Sequence, residues 1–145
     1  MEPQMLKDLI VRYQDVFFSV NRKLDAVLKD HMPDGLTIEQ YATLRYLRDN
    51  GPCTSSELSE IFCVGKSSIT AIVNRLFDKE LIERVPHKKD RRVTNLSLTE
   101  EGIRVTTDME ERIQLALAPY LNQFEAEEAL AFIGTFEKLA RVLNG

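Results

Sequence analysis

The chain has 145 residues, of which 43% are hydrophobic and 29% are charged. That length suits one domain with a sizeable core but is short for two independent domains. No apolar run approaches the ~20 residues of a membrane-spanning helix, and residues 1–4 lack the basic and apolar segments of a secretion signal. We therefore expect a single cytoplasmic domain, residues 1–145, without a membrane partner.

The formal net charge of −4 is distributed unevenly along the chain. Residues 1–64 hold 7 Lys and Arg against 10 Asp and Glu, a net −3. Residues 65–92 hold 8 against 4, a net +4, whereas residues 99–145 hold 4 against 9, a net −5. A basic central segment between acidic flanks is typical of a protein that meets nucleic acid with one surface only.

A long amphipathic helix is predicted near the amino terminus. Apolar residues recur every three to four positions from about Pro3 to Asp30, which is the spacing of one helix face. This stripe is longer than a small core could cover, so it predicts a partner surface. The segment 31–35 (His31-Met32-Pro33-Asp34-Gly35) is expected to end the helix.

Three shorter helices are predicted after residue 37. The first two begin with capping boxes, Thr37 to Gln40 and Thr54 to Glu57, in which two side chains satisfy each other's backbone amides. The third begins after Gly65, which can serve as its N-cap. The apolar residues expected on the inner faces of the second and third of these helices are Leu58, Ile61, Phe62, Ile69, Ile72, Val73, Leu76 and Phe77.

The outward face of the helix after Gly65 carries small hydrogen-bonding side chains with a cation at either end. Its residues are Lys66, Ser67, Ser68, Thr70, Ala71, Asn74 and Arg75. Such a face lets a helix approach base edges closely while its cations meet phosphates. A face exposed only to solvent is more usually rich in Glu and Lys.

A basic hairpin follows this helix. Leu81–Pro86 and Arg92–Leu98 are predicted strands, and the tip between them, residues 87–92 (His87-Lys88-Lys89-Asp90-Arg91-Arg92), is strongly basic. Helix, turn, helix and hairpin together predict a winged helix-turn-helix, with the helix in a major groove of double-stranded DNA and the tip in the neighbouring minor groove. The expected fold class is mainly α with a small β-hairpin wing (α+β).

Residues 54–102 resemble the winged-helix core of the MarR family of bacterial transcription regulators. The similarity lies in Asp90-Arg91-Arg92 followed by Leu96-Ser97-Leu98-Thr99-Glu100-Glu101-Gly102, and upstream in Glu57-Leu58-Ser59-Glu60 and Lys66-Ser67-Ser68-Ile69-Thr70. One departure is Glu80, which stands where a glycine usually ends the recognition helix of the family.

Two amphipathic helices predicted after the wing agree with that resemblance. Thr99 can cap the first, which is expected to break or kink at Pro119, and the last begins near Glu125. Residues on or near one face of the first are Ile103, Thr106, Ile113, Leu117 and Tyr120. The resemblance implies that residues 37–98 form the winged helix-turn-helix, and that residues 3–31 and 99–143 of two subunits interlock as a dimerisation layer.

The resemblance implies a homodimer that binds a pseudo-palindromic operator and represses transcription by blocking polymerase, with activation at some sites as the alternative. The expected DNA-contacting residues are the seven of the outward helix face together with Lys88, Lys89, Asp90, Arg91 and Arg92. Asp90 can hold the Arg92 guanidinium in one orientation. In the family, this arginine reaches the minor groove.

Many members of the family respond to a small molecule, so the resemblance also implies an effector site where the dimerisation layer meets the winged helix. The aromatic and basic candidates to line it are Tyr13, Phe17, Tyr41 and Arg45. An apolar cleft with one cation suits a phenolic or carboxylate effector. Helical aromatic residues are also common in cores, so a purely structural role stays open for each.

Two alternative functions also stay open. Cys53 and Cys63 could sense oxidants, although each is more simply a small buried hydrophobe, and a winged helix can dock a protein instead of DNA. The sequence contains no glycine-rich phosphate loop, no nucleophile with a base, and no Cys/His set with metal spacing; His31 and His87 are isolated. It therefore predicts no enzyme, no cofactor and no metal site.

Overall fold

The computed structural model describes residues 1–33 and 35–145, so Asp34, in the predicted helix-ending segment, lies outside the described residues. The fold is mainly helical with one two-stranded hairpin, which confirms the predicted fold class. Its elements are α1 (Pro3–Lys29), α2 (Ile38–Asn50), α3 (Ser55–Phe62), α4 (Lys66–Asp78), β1 (Ile82–Pro86), β2 (Thr94–Leu98), α5 (Glu100–Leu121) and α6 (Ala126–Leu143).

Local capping determines where the helices begin. The hydroxyl of Thr37 accepts from the amide of Gln40 at 3.1 Å, and the Gln40 side chain accepts from the amide of Thr37 at 3.3 Å. Thr54 and Glu57 form the same reciprocal pair at 3.1 and 3.4 Å. Both predicted capping boxes are therefore confirmed, as is Gly65 as the N-cap of α4.

The hairpin pairs β1 with β2 in antiparallel register, from Ile82 opposite Leu98 to Pro86 opposite Thr94. Cys53 extends this pairing on the other edge of β2, because its backbone exchanges two hydrogen bonds with Leu96, at 2.8 and 3.2 Å. The short link between α2 and α3 is thereby fixed to the wing.

Both strands start later than the sequence predicts, because the amides of the residues before them donate hydrogen bonds outside the strand pairing. The amide of Leu81 donates to the carbonyl of Leu76 and so belongs to the end of α4. The amides of Arg92 and Val93 both donate to Asp90, so these two residues belong to the tip.

The core lies where α2, α3, α4, the hairpin and the first half of α5 meet. Its buried residues include Leu44, Leu47, Cys53, Leu58, Ile69, Val73, Leu76, Leu81, Ile82 and Leu96. The predicted inner stripe of α4 is confirmed, with Ile72 and Phe77 half-buried at its edges. Ile61 was predicted to be buried but is exposed, because Leu58 and Phe62 define the inner face of α3 and Ile61 lies about 60° to the other side of Leu58.

Helix α4 ends in a Schellman motif built on a residue other than glycine. The amide of Leu81 donates to Leu76 at 3.0 Å, and the amide of Glu80 donates to Phe77 at 2.8 Å. This pattern requires a left-handed residue, and Glu80 indeed has φ 58°. The departure of Glu80 from the family pattern therefore leaves the motif intact but adds backbone strain.

The same junction holds the start of α5. The Thr99 amide donates to the Leu81 carbonyl at 3.1 Å, and the Thr99 hydroxyl donates to the Glu80 carbonyl at 2.7 Å. Gly102 packs so closely on this point that an added Cβ would overlap the Leu81 carbonyl oxygen. The glycine that the sequence places three residues after Thr99 is thus required by the crossing of α5 over the end of α4.

The long terminal helices leave apolar side chains exposed on a single chain. Neither α1 nor α6 contains a buried residue, and α5 buries only Gly102, Thr106 and Met109. Ile103 and Tyr120 of the predicted α5 stripe are exposed, and α5 does not break at Pro119 but continues to Leu121. None of the helices in the described part of the chain is long and apolar enough to cross a membrane.

We predict that Glu80→Gly raises the free energy of unfolding by about 1 kcal/mol, because glycine removes the cost of the left-handed conformation at the end of α4. Chemical denaturation of both proteins measures the difference. Glu83→Gly is the matched control: it removes the same side chain from an exposed position in β1 and should lower stability by about 0.5–1 kcal/mol. A loss of stability in the Glu80 variant would contradict the strain assigned to this junction.

Candidate nucleic-acid interface

The outward face of α4 is open along its length. Every residue predicted to contact DNA on this helix is exposed: Lys66, Ser67, Ser68, Thr70, Ala71, Asn74 and Arg75. The opposite face is fixed by Ile69, Val73 and Leu76, which are buried. Because the buried stripe leaves the helix no rotational freedom, the polar face is presented in one orientation.

Thr70 is partly committed within the helix itself. Its hydroxyl donates to the Lys66 carbonyl at 2.8 Å, so the proton of this side chain is already used. Thr70 therefore offers a partner its methyl group and the oxygen lone pairs, which suit a thymine methyl or an amino donor.

The tip of the wing is a closed, internally bonded loop. The amide of His87 donates to the Val93 carbonyl at 3.0 Å, and the Val93 amide donates to the Asp90 carbonyl at 3.1 Å. Its four cations, Lys88, Lys89, Arg91 and Arg92, are all exposed. The loop thus holds a cluster of positive charge on a defined backbone.

Asp90 binds Arg92 through both the backbone and the side chain. Its Oδ1 accepts from the Arg92 amide at 3.0 Å and from Nε at 3.2 Å, while Oδ2 accepts from Nη2 at 3.5 Å. The Arg92 amide and then its guanidinium lower the pKa of the Asp90 carboxyl. The Arg92 side chain is nevertheless 92% exposed, so it is oriented by Asp90 while remaining available to a ligand.

His87 has a role that the sequence did not reveal. Its Nδ1 accepts from the amides of Lys89 at 3.1 Å and of Asp90 at 3.3 Å. The ring therefore caps two backbone donors at the turn, as an Asn or Asp side chain does in an Asx turn. His31, by contrast, lies exposed at the end of α1, with Nδ1 2.8 Å from the Val27 carbonyl oxygen.

Arg84 is a second residue that sequence reasoning missed. Its guanidinium lies over the ring of Phe77, 4.3 Å from the centroid, and it therefore joins β1 to the end of α4 by a cation–π contact. Alternation along β1 carried the signal, because it places Arg84 on the same face as the buried Ile82. The contact sets a further cation at the base of the wing.

The structure separates the four effector candidates into two pairs. Tyr41 and Arg45 line a cavity of about 440 Å³. Its other lining residues are Leu28, Met32, Ile38, Ala42, Tyr46, Asp49, Asn50, Phe62 and Ile113. Tyr13 and Phe17 do not line it. They lie nearer the amino end of α1, where they stack on each other with ring centroids 5.5 Å apart. The sequence could not place them because α1 is long and its contacts are distant in sequence.

The two cysteines lie in different environments. Cys53 is buried, and burial raises the pKa of its thiol to about 11, which disfavours the reactive thiolate. Cys63 is exposed at the end of α3, so the interpretation of both as buried hydrophobes is right for Cys53 and wrong for Cys63. Among the described residues, no group of three or more His, Cys, Asp or Glu side chains could hold a metal ion.

Comparison with known proteins agrees with this geometry. The sequence model that describes the MarR family matches residues 36–94 of this chain. The transcriptional repressor MdtR of Bacillus subtilis is 31% identical over 138 residues, which cover 95% of this chain and 87% of MdtR. A MarR family protein from Bacillus stearothermophilus superimposes with a TM-score of 0.79 at 25% identity, covering 100% of this chain and 99% of that one.

A third similarity concerns fold alone. A mutant of MarR from E. coli, solved in complex with operator DNA, superimposes with a TM-score of 0.78 at 23% identity, covering 91% of this chain and 96% of that one. The similarity to MdtR extends through the terminal helices as well as the winged helix. The chain therefore belongs to the MarR family and is a winged-helix transcription regulator that binds DNA.

Proposed function

We propose that this regulator is a homodimeric repressor that reads a pseudo-palindromic operator with α4 and its wing and releases it on binding a small aromatic molecule. The observation that carries the DNA part of the proposal is the exposed, small and polar face of α4. Repression has the support of MdtR, which is itself a repressor. The test is a genome-wide selection of bound DNA fragments, followed by footprinting on the fragment that binds best.

Within this interface, we assign the contacts to DNA phosphates and the contacts to base edges to different residues. Exposed lysines at the tip, Lys88 and Lys89, suit phosphate contacts, which do not depend on sequence. Ser68, Thr70 and Asn74 are short polar side chains on the α4 face that suit base edges. Arg92, whose exposed guanidinium is hydrogen-bonded to Asp90, suits a minor groove.

Lys88→Ala or Lys89→Ala should weaken binding to all duplexes similarly and reduce the slope of log affinity against log salt by about 0.9 per lost phosphate contact. Ser68→Ala or Asn74→Ala should instead change base preference, by about 1–3 kcal/mol at one position of the site. Fluorescence anisotropy at several salt concentrations measures both effects. Lys138→Ala, an exposed cation on α6, is the control and should leave the slope unchanged. Equal losses on every duplex from all these variants would leave only nonspecific attraction.

The homodimer is proposed from the apolar surface of the terminal helices. Leu9 on α1 and Phe136 on α6 are 37% and 42% exposed, and Phe132 stacks on Phe136 with ring centroids 5.6 Å apart. Large apolar side chains that are exposed together along α1 and α6 mark an interaction site. Two-fold symmetry would place two copies of α4 about one helical turn apart, roughly 10 base pairs, on the duplex.

Phe136→Glu should convert the dimer into monomers, because a buried carboxylate without a partner is costly in an apolar seam. Affinity for the selected duplex should then fall by about two orders of magnitude, since the two half-sites no longer bind together. Sedimentation velocity and anisotropy measure the two effects. Lys138→Glu introduces the same residue at an exposed polar position of α6 and should change neither. A Phe136→Glu protein that stays dimeric would contradict the assignment.

The effector site is proposed at the cavity beside α2. Tyr41 and Tyr46 provide aromatic walls, and Arg45 provides a cation. Asp49 lies 3.7 Å from Arg45, so an anionic ligand would compete with Asp49 for the guanidinium. These features favour a small aromatic carboxylate as the ligand. Tyr13 and Phe17 of the same chain do not belong to this site.

Arg45→Met should weaken the binding of benzoate by about tenfold, because a charge-assisted hydrogen bond to the carboxylate is lost. Benzyl alcohol has the same ring without the charge and should bind both proteins equally. Calorimetry measures these affinities, and release from the selected duplex measures the consequence for DNA binding. Arg104→Met, on the exposed surface of α5, is the control. If a compound screen releases no DNA and calorimetry detects no binding, the effector proposal fails while DNA binding stands.

A further inference from the structure

The hydrogen bonds at the tip of the wing form a chain that begins at His87. Its Nδ1 accepts from the amides of Lys89 and Asp90, at 3.1 and 3.3 Å. The Asp90 carboxylate in turn accepts from the amide and guanidinium of Arg92. The imidazole therefore fixes the backbone that carries Asp90, and Asp90 fixes the side chain of Arg92.

We infer that neutral His87 is a positioning residue for DNA recognition, and that protonating its ring releases the wing tip and reduces discrimination between duplexes. An Nδ1 that accepts two amides must present a lone pair, so the ring proton resides on Nε2. A second proton at Nδ1 turns this acceptor into a donor that faces two other donors. Imidazole is the side chain whose charge changes between about pH 5 and 8.

The loss would extend to Arg92 through the backbone. Without the bond to Nδ1, the amides of Lys89 and Asp90 have no partner within the loop, and the turn between residues 87 and 90 loosens. Asp90 then holds Arg92 on a mobile backbone, so more conformational entropy is lost when the guanidinium enters a groove. His87 makes this contribution without touching DNA itself.

The surrounding charges act on the same proton in opposite directions. The negative charge of the Asp90 carboxylate attracts a protonated ring. Lys88, Lys89, Arg91 and Arg92 repel it. Protonation also adds one positive charge near phosphates, which raises affinity for any duplex. The measured quantity must therefore be the ratio of affinities for two duplexes rather than a single affinity.

The inference rests on the proposed reading of DNA by the wing, so its test has one part with DNA and one without. Amide resonances of Lys89 and Asp90 in isotope-labelled protein are followed by NMR from about pH 8 to about pH 5.5. In parallel, affinities are measured for the best selected duplex and for a shuffled duplex of the same composition. The variants are His87→Asn, whose side-chain oxygen can accept the same amides at any pH, and His87→Leu, which cannot accept them. His31→Asn removes the other histidine as a control.

In the wild type, both amides should shift in one transition, and the affinity ratio should fall about five- to tenfold on acidification. His87→Asn should keep a high ratio at both pH values, whereas His87→Leu should show a low ratio at both. His31→Asn should behave as the wild type does.

Three results would overturn the inference or separate it from the proposed function. Amides that show no transition dependent on His87 would refute the hydrogen-bond switch, whether or not DNA is read. A transition without a change in the affinity ratio would refute the positioning of Arg92. Failure to select any preferred duplex would refute the proposed reading of DNA and, with it, the effect of His87 on discrimination.

Discussion

The backbone of Leu81 is the point on which the DNA-binding unit depends. Its amide completes the end of α4, and its carbonyl accepts from Thr99 at the start of α5. Gly102 lies against the same carbonyl, and the Leu81 side chain is buried in the core. Because the wing begins at the next residue, α4, the wing and the first turn of α5 are fixed relative to one another. A displacement of α5 therefore moves the DNA-binding surface as a unit.

Local charge, not net charge, decides where this chain can meet a duplex. The screening length at physiological salt is about 8 Å, so a phosphate responds to the charges of the surface nearest to it. Residues 65–92 carry a net +4, while residues 99–145 carry a net −5. The acidic segment forms α5 and α6, whose exposed apolar residues make them the proposed dimer surface. Attraction of the basic segment to phosphates and repulsion of the acidic segment favour one orientation of the molecule toward a duplex.

The sequence predicted those features that depend on neighbouring residues. The boxes at Thr37 and Thr54 and the inner stripe of α4 were predicted correctly, because capping and helical periodicity act within a few positions. Leu81 and Arg92 were assigned to strands because both residue types fit a strand, whereas the hydrogen bonds of their amides to Leu76 and to Asp90 place them in a helix end and in the tip.

Other features could not be read from local pattern at all. The left-handed Glu80 is held by the packing of three elements, and nothing in its side chain signals that conformation. His87 was interpreted as isolated because its partners are backbone amides, which no sequence motif displays. Tyr13 and Phe17 share a helix face but not the cavity beside α2, since the path of a long helix past its neighbours is set by tertiary contacts.

Helix α2 links the cavity to α5 through one small set of charges. Arg48 donates to Glu110 of α5 at 2.6 Å in a half-buried pair, and it also contacts Asp49 at 3.0 Å. Asp49 in turn lies 3.7 Å from Arg45, which lines the cavity. A ligand that binds Arg45 in place of Asp49 would leave Asp49 with Arg48 as its remaining partner. The Arg48–Glu110 ion pair, which joins α2 to α5, is thus connected to the cavity through Asp49. Helix α5 is in turn hydrogen-bonded to the end of α4 at Leu81. The proposed effector site and the DNA-binding unit are therefore both joined to α5, and a shared element of this kind can carry energetic coupling between two sites.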